Sequence, residues 1–199
     1  MRTRWVLATG NRGKLEEIAA LLDGRGIELL AQSELGIAAA DETAPTFVEN
    51  ALIKARHAAR QSGLPSLADD SGLTVDALGG APGVLSARYA GPDADDRRNV
   101  ERLLEALRDV PERNRAARFH CVVVALRHPD DPAPVIATGT WPGRIAVAPS
   151  GRNGFGYDPV FLVPALGCTA AELAPDAKNA VSHRGAALRA LAAQLEELD

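Results

Sequence analysis

Residues 5–22 read Trp-Val-Leu-Ala-Thr-Gly-Asn-Arg-Gly-Lys-Leu-Glu-Glu-Ile-Ala-Ala-Leu-Leu, and this stretch decides the fold class. Trp5-Val6-Leu7-Ala8 is a short apolar run that stops at Thr9-Gly10-Asn11, a turn signal. From Lys14 the period changes. Leu15, Ile18, Ala19 and Leu22 recur at helical spacing, and Gly24 and Gly26 stop the helix. Ile27 to Ala31 reads as a second strand. Strand, helix and strand in this order predict a βαβ unit at the head of the chain.

Beyond that unit, Ala38 to Pro45 is a polar loop holding Asp41 and Glu42. Thr46-Phe47-Val48-Glu49 is a capping-box pattern, and the helix it opens runs to about Gln61, before Gly63 and Pro65. Leu64 to Ala68 is a brief apolar run that Asp69-Asp70-Ser71-Gly72 is expected to break, with Leu73 to Leu78 resuming as a strand. Gly79-Gly80-Ala81-Pro82-Gly83 is unsuited to regular structure. Asp93 to Arg108 is a predicted helix whose inner face is Val100, Leu103, Leu104 and Leu107. Arg118 to Arg127 is a valine-rich, central strand. Val135 to Thr140 and Arg144 to Ala148 suggest a hairpin around Pro142-Gly143, and Val160 to Val163 a further strand. Ser182 is expected to cap a C-terminal helix with Leu188, Leu191, Leu195 and Leu198 inward. The fold class is α/β (mixed α+β) with a mixed sheet. The chain shows no repeat, low-complexity segment or linker, so residues 1–199 form a single expected domain.

The formal net charge of −4 argues against a nucleic-acid polymer as partner, because backbone phosphates need a dense basic face. A mononucleotide needs only a local cluster of cations. Cys121 lies in an apolar run and Cys168 in a predicted loop. The two form no metal or disulfide framework, which suits a reducing, cytoplasmic compartment. Met1 to Leu7 lacks the long apolar core of a signal peptide, and no apolar run approaches the ~20 residues of a membrane span. Of 22 basic residues only Lys14, Lys54 and Lys178 are lysine, and each falls in a segment of chemical interest.

Five segments carry that interest. Thr9-Gly10-Asn11-Arg12-Gly13-Lys14 lies between a strand and a helix, where free N–H groups and the positive helix end suit an anion. It has neither Walker A nor dinucleotide-fingerprint spacing, and the same residues suit a plain strand-to-helix turn. Asn50 and Lys54 stand four apart and so share a helix face, which suits either the same anion or solvent. Asp69-Asp70-Ser71-Gly72 offers adjacent carboxylates for a hard cation, with Glu42 as a second ligand; an Asx turn is the alternative. Side chains of consecutive extended residues diverge, so one of the two acids is expected to face the metal. Gly151-Arg152-Asn153-Gly154-Phe155-Gly156-Tyr157-Asp158 sets two of the eight aromatics among three glycines, as a stacking surface for a flat ligand or as a plug for the core. Lys178 to Arg184 gathers lysine, serine, histidine and arginine at a predicted helix N-terminus, where cations oppose the dipole unless an anion or a carbonyl meets them. Together these suit phosphoryl-transfer chemistry, which rests on positioning and charge neutralisation.

The ordered motifs Leu7 to Lys14, Phe47-Val48-Glu49-Asn50-Ala51 with Lys54-Ala55, Ala68 to Leu73 through Ser86-Ala87-Arg88-Tyr89, Gly154 to Pro159, and Ser182-His183-Arg184 resemble the inosine triphosphate pyrophosphatase family. That family includes the bacterial dITP/XTP pyrophosphatases. The resemblance implies an elongated mixed sheet with flanking helices, forming two lobes around a central cleft, and a homodimer. It implies Mg²⁺-dependent hydrolysis of ITP, dITP and XTP to the monophosphate and pyrophosphate. By position, Thr9, Gly10, Asn11, Arg12, Gly13, Lys14 and Lys54 would hold the triphosphate. Glu42 and Asp70 would bind metal, with Asp70 also taking the proton from the attacking water. Ser71 would contact substrate. Phe155, Gly156, Tyr157 and Asp158 would stack on and line the base, and Lys178, His183 and Arg184 would read its edge. A broader nucleotide pyrophosphatase and a non-catalytic nucleotide-binding regulator are the alternatives.

Overall fold

The computed structural model of the protein describes residues 3–22, 24 and 26–196, with the backbone alone at Arg12, Leu21 and Glu196. Seven strands form one mixed sheet: β1 (Thr3–Leu7), β2 (Ile27–Ala31), β3 (Ser66–Val75), β4 (Ala116–Leu126), β5 (Val135–Ile145), β6 (Phe161–Val163) and β7 (Cys168–Thr169). The helices are α1 (Arg12–Leu22), α2 (Phe47–Ser62), α3 (Asp96–Ala106), α4 (Pro175–Val181) and α5 (His183–Glu196). The strand order is β2-β1-β3-β4-β5-β6-β7, which puts β4 at the centre as its valines predict. β1 is parallel to β2 and to β3. Parallel neighbours require crossovers, and α1 and α2 supply them. β6 is antiparallel to both β5 and β7. The mixed α/β class expected from the sequence is the class observed.

Two compact units divide the chain: residues 1–70, 121–139 and 184–199 form the first, and 71–120 with 140–183 the second. In the first, the two-residue period of extended backbone sorts strand side chains onto two faces. Trp5 and Leu7, Leu67, and Cys121 and Val123 join Ile18 and Leu22 of α1 and Leu188 and Leu191 of α5. Val6 and Ala8, Ala68, and Val124 and Leu126 join Ala51, Ala55 and Ala58 of α2. Strands covered on both faces read as continuous apolar runs, which is how residues 5–8 and 121–126 read. The alanine stripe of α2 follows a clean start, with Thr46 accepting the Glu49 N–H at 3.4 Å.

In the second unit, Leu73 and Val75 meet Val100, Leu103 and Leu107 around the rings of Phe119, Trp141, Tyr157 and Phe161. Phe119 and Phe161 lie 4.5 Å apart between centroids, and Trp141 and Phe161 5.1 Å.

Several local expectations need correction. Asp69-Asp70-Ser71-Gly72 does not break the chain: β3 runs through it. Carboxylates end a strand when water must solvate them, and here buried cations take that role. Pro142-Gly143 is no hairpin turn, since β5 continues across it. A Cβ on Gly143 would lie 2.5 Å from the Phe161 ring, so this glycine serves close packing rather than a turn. β3 stops at Val75, and Asp76–Leu78 is a 3₁₀ turn. α3 starts at Asp96, capped by Asp95, which accepts the Arg98 N–H at 2.8 Å. Cys168 lies in β7 rather than a loop. Ala19 is exposed, while Ile18 and Leu22 carry the inner face of α1. Leu198 lies outside the described residues. A short helix, α4, which the sequence reading left out although Pro175 at its first position is a start signal, ends with Ser182 as its C-cap, and Ser182 directly precedes the C-terminal helix as expected.

Candidate active site

Asn11 starts α1. Its Oδ1 accepts the Lys14 N–H at 3.0 Å, and its own N–H donates to Thr9 Oγ1 at 3.1 Å. Thr9 is buried while Gly10 and Asn11 are exposed, so the turn between β1 and α1 is anchored at one end and open at the other. The Arg12 side chain lies outside the described residues.

The alternation of β3 then separates the two aspartates, as extended backbone dictates. Asp69 shares the face of Leu67, toward α1 and α5. Its Oδ2 lies 3.0 Å from Lys14 Nζ and 3.5 Å from Arg184 Nη2. Arg184 also donates from Nη1 to Glu17, one turn beyond Lys14 on α1. Asp70 shares the face of Ala68, toward α2. Its Oδ1 is 2.8 Å from Lys54 Nζ, and that ammonium also lies 3.0 Å from Glu42 Oε1. Three cations and four carboxylates are thus gathered in the first unit, and the Asp69 and Arg184 side chains are almost fully buried.

The electrostatics of the two acids differ. Burial pushes the Asp69 pKa up, but Lys14, Arg184 and Lys54 outweigh it and hold this carboxyl well below the ordinary range. Burial also raises Asp70, and Lys54 only partly offsets it, so Asp70 ends above the ordinary value. Burial lowers Lys54, yet Asp70, Asp69 and Glu42 together reverse this and keep the ammonium protonated. The Oδ2 atom of Asp70 is buried and has no hydrogen-bond partner among the described residues. A buried carboxylate oxygen without a donor is costly, and it marks a position where a cation or a proton belongs. No group of three or more His, Cys, Asp or Glu side chains among the described residues is arranged to hold a metal. Asp70 and Glu42 nevertheless supply oxygen donors only, the set a hard divalent cation takes. The neighbouring Cys121 is inert: burial, with Asp69 nearby, pushes its thiol up to about 12.

The second unit holds the other expected residues. Gly154 has a φ of +75°, and a Cβ there would lie 2.0 Å from Asp158 Oδ2. That oxygen accepts the Phe155 N–H at 2.9 Å and a bond from Lys178 Nζ at 2.6 Å. Lys178 Nζ also stands 4.9 Å from the Phe155 ring centroid, a cation–π distance. Gly156 N–H donates to Asp96 Oδ2 at 2.7 Å. Tyr157 is buried in the core and donates its hydroxyl to the Ser86 carbonyl at 2.8 Å. Of the two aromatics in this loop, Tyr157 is therefore the core plug and Phe155 the half-exposed ring. The His183 ring stacks on Phe119 at 4.7 Å, and Ser71 is half-buried in β3.

The expected residues therefore fall in two groups. The Thr9–Lys14 turn, Glu42, Lys54, Asp70 and Arg184 lie in the first unit, and Ser71, Phe155 to Asp158, Lys178 and His183 in the second. Arg184 is bound to Glu17 and Asp69. Lys178 lies in the last turn of α4, where the helix dipole favours a cation, while His183 and Arg184 open α5. The sequence reading missed Glu17, whose three-residue spacing from Lys14 was the available signal, and Asp96, which had none.

Comparison with known proteins places the chain in a family. Residues 5–194 match the Ham1 family. The chain is 62% identical over 184 residues to a Yersinia pseudotuberculosis protein named dITP/XTP pyrophosphatase, spanning 92% of this chain and 93% of that one. It is 58% identical over 186 residues to the protein of that name from Escherichia coli K12, spanning 94% of each. The solved structure of a HAM1 protein from Coxiella burnetii superposes with a TM-score of 0.91 at 52% identity, over 98% of this chain and 99% of that one.

Proposed function

Because this chain belongs to the Ham1 family, we propose that it is a nucleoside-triphosphate pyrophosphatase that hydrolyses non-canonical purine nucleotides such as dITP, ITP and XTP to the monophosphate and pyrophosphate. The observation that carries the chemical assignment is the buried Asp70 Oδ2, left without a donor beside an ammonium already shared by two carboxylates.

In this reading the Thr9–Lys14 turn and Lys54 bind the triphosphate. The open N-terminal turn of α1 offers backbone N–H groups, and Lys14 and Lys54 add charge. Asp70 and Glu42 would hold Mg²⁺ by their carboxylate oxygens, the donor type this ion takes. When bound, that ion would neutralise phosphate charge around the bond that breaks. Asp70 Oδ2 takes the proton of the attacking water. A carboxyl raised by burial is a stronger base than an exposed one, and a positioned base contributes roughly 10²–10⁴-fold in rate. Asp69, held ionised by Lys14 and Arg184, lies between these two cations and fixes the arrangement.

The second unit supplies the chemistry of a base site. Phe155 offers a stacking face, and Lys178 offers hydrogen-bond donors only. A C6 carbonyl, present in hypoxanthine and xanthine, accepts from such a group. The C6 amino group of adenine does not, and an unmatched buried donor costs about 1–3 kcal/mol. A cytoplasmic homodimer belongs to the same reading and rests on the family resemblance. No helix among the described residues is long and apolar enough to cross a membrane.

The test is pyrophosphate release from ITP, XTP, dITP, ATP and GTP, each with Mg²⁺ and with EDTA. Rapid Mg²⁺-dependent release from the first three supports the reading. Equal turnover of ATP and GTP would replace it with a general pyrophosphatase, and no release from any would remove the enzymatic claim.

A further inference from the structure

Asn50, the fourth residue of α2, is fully buried and makes two bonds to one residue of the preceding loop. Its Oδ1 accepts the Ala44 N–H at 2.9 Å, and its Nδ2 donates to the Ala44 carbonyl at 3.1 Å. This clamp acts two residues from Glu42. Lys54, one helical turn after Asn50, receives the Glu42 carboxylate at 3.0 Å. One helix therefore carries both the ammonium that Glu42 meets and the amide that fixes the loop Glu42 stands on.

The molecule contains a matched arrangement for comparison. Asn99 is also the fourth residue of its helix, α3, and is also buried. Its Oδ1 accepts the Ala90 N–H at 2.8 Å, and its Nδ2 donates to the Ala87 carbonyl at 3.1 Å. The segment it holds, Ala87-Arg88-Tyr89-Ala90, contains no carboxylate. The two asparagines do the same work for the backbone. Only one of them holds a loop that bears a candidate metal ligand.

We propose that Asn50 is a positioning residue for the divalent-ion site, holding Glu42 where it can share an ion with Asp70. The inference rests on the reading of Glu42 and Asp70 as the ion-binding carboxylates. Asn50 has no contact with the ion or the substrate in this account. Its effect passes through the loop, and so it falls on ion affinity before it falls on chemistry.

Mn²⁺ alone, titrated calorimetrically into the metal-stripped full-length protein, is the probe. Loss of an outer-shell partner weakens metal binding by roughly 10–100-fold, and Asn50→Ala should weaken Mn²⁺ binding within that range. Turnover of this variant should recover at saturating Mn²⁺, as an affinity defect does and a damaged catalytic group does not. Asn99→Ala should lower the melting temperature comparably and leave Mn²⁺ affinity at the wild-type value. Glu42→Gln should weaken Mn²⁺ binding by itself, and adding Asn50→Ala to it should bring no further loss. If Asn50→Ala does not fold, Asn50→Ser, which keeps a small polar group in place, carries the same titration. Wild-type Mn²⁺ affinity in the Asn50 variant, alongside a weakened Glu42→Gln, overturns the inference and leaves the ligand assignment standing. Wild-type affinity in Glu42→Gln overturns the ligand assignment itself, and this inference with it.

Discussion

Lys54 Nζ lies 2.8 Å from Oδ1 of Asp70, and the second oxygen of that carboxylate is buried without a hydrogen-bond donor among the described residues. The two atoms of one carboxyl group thus have different environments. One is neutralised by Lys54, and the other has no donor among the described residues. The reactive end of the proposed site is built on that asymmetry, and the structure around it makes separate demands that can be measured.

Arg184 is expected to be structural as well as electrostatic. Its guanidinium is 2% exposed and meets both Glu17 and Asp69. Breaking a buried ion pair by removing one partner costs about 3–5 kcal/mol, and Arg184→Met should lose that much in urea unfolding. Arg184→Lys should recover only part, because one ammonium lacks the fork that spans two acceptors. A loss in Arg184→Met below about 1 kcal/mol would place this pair with weak surface bridges instead.

Phe155→Ala separates the two roles of its loop. Stacking of a base on an aromatic side chain is worth roughly 1–3 kcal/mol, and the variant should raise the KM for dITP accordingly. The melting temperature should change little, because Phe155 is half-exposed and Tyr157 carries the packing. An effect on melting alone would make Phe155 a second core plug.

Asp131, which is not among the proposed site residues, gives a pH-dependent contribution. It accepts from Arg127 Nε at 2.9 Å and Nη2 at 2.8 Å, and from the Arg127 and Ala133 N–H groups at 3.0 Å each. The Arg127 hydrogen bonds, more than the opposing effect of burial, lower its pKa well below the ordinary value. A depressed folded-state pKa stabilises the protein above the unfolded-state value of about 3.9, and the benefit is lost as pH falls through the folded-state value. Asp131→Asn should therefore cost about 1–2 kcal/mol at pH 7, with the gap to wild type closing under acid conditions. A gap independent of pH would mean that the carboxylate charge contributes nothing.

Short-range chemistry was legible in the sequence. The Asn11 cap, the Thr46 start of α2 and the divergence of Asp69 from Asp70 all depend on neighbours within a few positions, and each stands as the residue pattern implies. The misreadings share one cause. Asp69-Asp70-Ser71-Gly72 resembles a turn until Lys14, Lys54 and Arg184 are seen to neutralise it. Pro142-Gly143 resembles a hairpin until the Phe161 ring is found against Gly143. In both cases a partner remote along the chain overrides local propensity. The link from Arg184 to Glu17 spans 167 positions, and no local pattern announces it. The grouping of Arg184 with these acids could only come from coordinates.

The role of Asp70 is tested most directly by comparing pyrophosphate release from dITP, with Mg²⁺, by the wild-type protein and Asp70→Asn, with melting curves for both. The account predicts that the wild type releases pyrophosphate rather than orthophosphate. It also predicts that Asp70→Asn keeps its cooperative melting and turns over roughly 10²–10⁴-fold more slowly. A folded Asp70→Asn enzyme working near the wild-type rate would contradict it.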